Sequence, residues 1–241
     1  MTASKKTKST TAKKASTKVT APAKHSDAEM DPAAETHADS KKPSTAELAA
    51  DALLADEDAP RRVAELGSQM LDSRAGRATQ AARILGEVCL KKPELLTSIV
   101  DKLVAGVCSK QKRVVQTSAD ALPLLSRISP ARVAKHLPRL NEAFDETNAI
   151  GKDGLVRTFA GLCTASVAYQ ARLEPVLTKA LEQADGKTLL NWSQVVLPAL
   201  KGEPHARARE VVEQRLYRIP RSSAQKIADF LGIRLRASVR G

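Results

Sequence analysis

Aromatic residues are nearly missing: one Trp, two Tyr and three Phe in 241 residues. A surface that reads bases by stacking needs several exposed rings, so a ring-lined platform is excluded as the main binding device. Cysteine is scarce too. Cys89, Cys108 and Cys163 have no C-x-x-C spacing and are too few for a disulfide framework or a cysteine zinc site. They read as small residues on apolar helix faces, in keeping with a reducing compartment. No apolar run approaches the roughly 18 residues of a membrane-spanning helix, and the amino terminus lacks the apolar segment of a secretory signal. The expectation is a soluble intracellular chain without a membrane partner. Gly-rich phosphate loops, H-E-x-x-H spacing, nucleophile elbows and paired carboxylates are absent as well. The chain is therefore expected to be non-enzymatic, with no catalytic residue, metal, cofactor or small-molecule substrate.

What is present is positive charge, unevenly placed. Lys and Arg number 39 against 27 Asp and Glu, a formal net charge of +12. Residues 1–43 sum to +4, residues 44–206 to +2 and residues 207–241 to +6. A nearly neutral middle between two basic ends puts the excess where it can meet a polyanion, of which nucleic acid is the commonest.

Residues 1–43 contain no Leu, Ile, Phe, Trp or Tyr. Such a segment buries too little apolar surface to offset its ordering entropy, and a disordered tail is expected. Lys5, Lys6, Lys8, Lys13, Lys14, Lys18 and Lys24 precede every acid in it, and Asp27, Glu29, Asp31, Glu35 and Asp39 follow. Ammonium groups on a tail follow a phosphate backbone and release counterions without reading sequence.

From Ser44 the text changes. Ser44-Thr45-Ala46-Glu47 has the form of a capping box, and apolar residues then recur at helical spacing, as at Val133, Leu137, Leu140 and Phe144. Compared with itself, the chain repeats at an offset of 37 residues: Leu85, Leu122, Phe159 and Val196; Val88, Leu125 and Leu162; Leu103, Leu140 and Leu177; Ile99, His136 and Leu173. Pro93 and Pro130 fall at one offset and Pro204 two further on, at the joints of helix pairs. Four pairs follow, near 76–108, 112–145, 150–183 and 187–218, with further helices near 45–55, 60–72 and 221–232. Pro123 and Pro198 should kink or delay their helices. Cys89, Ser126 and Cys163 share the offset and mark a slot where helices approach closely.

The period, the helix-pair phasing and the joint prolines resemble HEAT repeats, the hairpin units of armadillo-type solenoids. The resemblance implies an all-α fold, a right-handed α-solenoid of about four to five hairpins over residues 44–241, with second helices lining the concave side. The stretch KKASTKVTAPAK at 13–24 resembles the tails of linker histones and bacterial histone-like proteins. At the fold level the pattern also resembles helical-repeat alkylpurine DNA glycosylases. Trp192, Tyr169 and Tyr217, with Asp153 and Arg157 as a polar pair, are the residues such an activity would use, although their spacing matches no motif.

The offset of 37 also links Lys135, Arg172 and Arg209, and separately Lys102 and Arg139, all on second helices. Arg215, Arg218, Arg221, Arg234, Arg236 and Arg240 continue the series at the carboxyl end. In the middle repeats Asp101, Glu142, Glu174, Glu210 and Glu213 lie on the same helices, and surface ion pairs there are the competing account. These features lead to the expectation of a binding scaffold that meets nucleic acid, DNA above all, through its backbone. Its solenoid surface would remain for a protein partner. A pure protein scaffold and a glycosylase-like repair protein stay open as alternatives. The location would be cytoplasmic or nucleoid-associated in a bacterium and nuclear in a eukaryote.

Overall fold

The computed structural model describes residues 43–235, and every regular element among them is helical. The expected tail lies outside the described residues up to residue 42, with Lys5, Lys6, Lys8, Lys13, Lys14, Lys18 and Lys24. Arg236 and Arg240 lie outside them at the other end.

Twelve α-helices follow one another in this span. They are α1 (Thr45–Leu54), α2 (Ala59–Met70), α3 (Ala75–Lys91), α4 (Val100–Gly106), α5 (Lys112–Ile128), α6 (Pro130–Ala134), α7 (Leu137–Glu146), α8 (Ala149–Ala165), α9 (Val167–Gln183), α10 (Gly186–Ala199), α11 (Gly202–Arg215) and α12 (Arg221–Leu231). Two 3-10 segments, Pro93–Ile99 and Leu216–Arg218, join α3 to α4 and α11 to α12. Their starts follow local chemistry. Ser44 Oγ accepts from the Glu47 amide at 3.1 Å, as the capping box requires, while the Glu47 carboxylate sits 4.0 Å from Lys91 Nζ. Asn148, Ser166 and Asp185 cap α8, α9 and α10 by accepting amides of the first turn. Pro93 and Pro130 open second helices, where the missing N–H costs nothing.

The 37-residue register is the core. Leu85, Leu122, Phe159 and Val196 are buried, as are Val88, Leu125 and Leu162 and the second-helix leucines Leu103, Leu140 and Leu177. Ile99 and Leu173 are also buried, and His136 between them in register is half-buried. The apolar side chains form one contiguous cluster from Ala50 to Ala228. First helices pack in chain order, α1 on α3, α3 on α5, α5 on α8, α8 on α10 and α10 on α12, while α9 packs on α11 in the second row.

The most extensive of these seams is α5 on α8, and its cause is small residues. Gly154 and Gly161, seven apart on one face of α8, lie against Ala119 and Ser126, seven apart on α5. A Cβ at Gly154 would stand 2.7 Å from the Ala119 carbonyl oxygen. That carbonyl is one that Pro123, four residues on, leaves without its helical amide. An Arg157 η-nitrogen lies 3.5 Å from it, and α5 runs on past the proline to Ile128. Pro198 likewise lies within α10, one residue before its end. Elsewhere, side chains tie helices to one another through backbone oxygens. Thr117 donates to Ala82 at 2.8 Å, Thr147 to Val107 at 2.7 Å, and buried Gln170 to Cys163 and Ala199, both at 3.2 Å. Gln170 also accepts from the Lys201 amide at 3.0 Å. It thus satisfies the ends of α8 and α10 at once.

Candidate binding site

The second-helix cations separate by partner. Lys135, where α6 ends, and Arg172 on α9 are exposed and have no ion-pair partner among the described residues. Arg209 is half-buried instead. Its Nε donates to Glu213 at 2.8 Å and an η-nitrogen to the Leu231 carbonyl at 3.2 Å, which ties α11 to the end of α12. Arg215 donates to the carbonyl of Ala184, the residue that follows α9. Of the remaining cations in this register, Lys102 pairs with Asp101 at 3.3 Å, and Arg139 is exposed beside Cys108. Of the five cations in this register Arg209 braces the fold and Lys102 is paired, and Arg215, outside the register, is a second brace.

At the carboxyl end Arg218, Arg221, Lys226 and Arg234 are exposed, and none has an anionic partner among the described residues. Tyr217 stands beside them at 84% exposure. Chain order alone does not separate Arg209 and Arg215 from these neighbours. Their acceptors are backbone carbonyls 22 and 31 residues away in sequence.

Sequence reasoning about second helices missed the first-helix side. There a cleft of about 430 Å³ opens between α3, α5, α8 and α10. Leu90, Leu124 and Val195 contribute apolar surface, Arg113, Arg127 and Arg157 positive charge, and Glu87 and Asp120 negative charge. A second cleft of about 710 Å³ shares Glu87 and Arg113 with the first and runs past Arg83 to Ser44 at the start of α1. The signal was available in the exposed stripe of α5, where Arg113, Gln116, Asp120, Leu124 and Arg127 recur at helical spacing.

Asp153, Arg157 and Trp192 are brought together beside this cleft. Asp153 accepts from Trp192 Nε1 at 2.9 Å and from Arg157 Nε at 2.9 Å, and Arg157 reaches Asp120 at 3.4 Å. Trp192 is 6% exposed and Tyr169 is half-buried, so of the three candidate rings only that of Tyr217 faces solvent. The cysteines divide as well. Burial pushes the Cys163 thiol up to about 12 and that of Cys89, near the Asp120 carboxylate, up to about 11. Both are buried, as the sequence led one to expect, but Cys108 is exposed because it lies in the turn after α4 and not on an apolar helix face. Its thiol is also raised, by partial burial and then by Glu146.

Among the described residues no helix is long and apolar enough to cross a membrane, and no cluster of His, Cys, Asp and Glu could hold a metal ion. Compared with models of known families, with curated proteins and with solved structures, the chain finds no match.

Proposed function

We propose that the helical part of this chain is a HEAT-like α-solenoid serving as a non-enzymatic scaffold. Its basic ends would hold nucleic acid by the phosphate backbone, with no sequence preference. Chain-order packing of successive first helices supports the repeat architecture. The observation that carries the nucleic-acid part is the set of exposed cations Arg218, Arg221, Lys226 and Arg234, without a carboxylate partner among the described residues. Such groups stay hydrated and mobile until a polyanion arrives, and they then release its counterions.

The test is a salt-titrated mobility shift on duplex DNA, with the full chain, a variant lacking residues 1–43, and the triple variant Arg218→Gln/Arg221→Gln/Arg234→Gln. Log affinity should fall linearly with log salt, and the slope should flatten by about 0.9 for each phosphate contact removed. Affinity indifferent to salt and to both changes would leave the pure protein scaffold, which the first-helix clefts favour. Release of modified bases from alkylated duplex, abolished by Asp153→Ala, would instead establish the glycosylase-like alternative.

A further inference from the structure

The cleft on the first helices combines features that a phosphate backbone does not need. Leu90 is 77% exposed and Leu124 38% exposed, and both face the same hollow. Apolar side chains gathered in a concavity and rimmed by polar residues mark an interaction site, where the leucines lose water and the guanidinium groups, enriched at protein interfaces, select the partner. Arg113 and Arg127 supply the rim, and neither has an ion-pair partner among the described residues. They are 14 residues apart on α5, which places them about 21 Å apart along the axis and within about 40° of each other around it. Leu124 shares that stripe. Asp120, midway between the arginines on α5 and 3.4 Å from Arg157, and Glu87 on α3 also line the cleft with their carboxylates. A phosphate chain laid through the cleft would meet both. A peptide would not be repelled in the same way if its own acids sat at the two ends, because its backbone N–H groups in the middle are donors to carboxylates.

We propose that this cleft docks an acidic peptide segment of a partner protein, with one or two large apolar side chains on Leu90 and Leu124 and flanking carboxylates on Arg113 and Arg127. The span corresponds to about six residues in extended form, at roughly 3.3 Å per residue. The proposal rests on the scaffold role given above but not on nucleic-acid binding, which uses different cations.

The experiment selects a random twelve-residue phage-displayed library on the full chain and measures the enriched peptides by fluorescence anisotropy. Selected peptides should carry Asp or Glu on both sides of Leu, Ile or Phe. Arg113→Glu/Arg127→Glu should weaken them at least tenfold, and Leu90→Ser at least threefold. All three side chains are exposed, so the variants should keep the wild-type melting temperature, and their duplex mobility shift should be unchanged. Three outcomes would overturn the proposal: no enrichment of acidic peptides, binding indifferent to the double variant, or duplex DNA that displaces the peptide and loses its shift in the same variant. A lost mobility shift in the Arg218, Arg221 and Arg234 variant with peptide binding intact separates the two sites.

Discussion

Arginine behaves differently at the α5–α8 seam and at the carboxyl end. In the seam Arg157 is enclosed by acceptors: Asp153, Asp120 and the Ala119 carbonyl that Pro123 leaves open. At the end, Arg218 and Arg221 stand in solvent without an anionic partner among the described residues. The first serves packing and the second is available to a ligand. Residue type does not distinguish them; sequence context does so only in outline, through Asp153 four residues before Arg157 and the scarcity of acids near Arg218 and Arg221. The distinction comes from how closely a second helix approaches.

The largest effect expected on this contrast comes from Gly154→Val. The added side chain would meet backbone as well as the Ala119 side chain, and backbone cannot swing aside. Denaturant unfolding should show a loss at or above the top of the roughly 1–3 kcal/mol typical of overpacking. Gln170→Leu should follow at about 2–3 kcal/mol, because the carbonyls of Cys163 and Ala199 and the Lys201 amide all lose a buried partner.

Arg157→Met against Arg221→Met sharpens the comparison. The former should lower stability by about 1 kcal/mol and the latter by less than about 0.5 kcal/mol. Equal losses would mean that the two regions do not differ in the way described. Thiol labelling at pH 8 should modify Cys108 alone in the folded chain, with Cys89 and Cys163 reacting only after denaturation.

The smallest effect concerns Asp72 in the turn before α3. The Arg74 amide and then its guanidinium hold the Asp72 carboxylate down to about 2. A depressed folded value stabilises above the ordinary carboxylate range near 3.9 and is lost as pH falls toward about 2. Circular dichroism at a fixed urea concentration should show a shallower loss over that window in Asp72→Asn than in the natural chain.

Much of the architecture could be read in advance because burial leaves a period. Leu85, Leu122 and Phe159, each 37 apart, are all buried, and Pro93 and Pro130 open the segments that follow α3 and α5. Two features of the interior were not foreseen. The glycine pair of α8 faces α5 at an offset of 35 and not 37, because packing partners need not be register mates. The clasp of Gln170 joins ends of helices that lie apart in sequence. At the surface, the second-helix register identified Lys135 and Arg172 as outward-facing but could not tell them from Arg209, whose carbonyl acceptor belongs to α12.

By itself, the sequence determined helices and the place of the net positive charge, since hydrophobic period, caps and composition are properties of short stretches of chain. Only the tertiary structure decided which arginines are free, which thiol is exposed and which row of helices opens a cleft. Each of these depends on groups brought within a few ångströms of one another from different helices, and that proximity is set by packing.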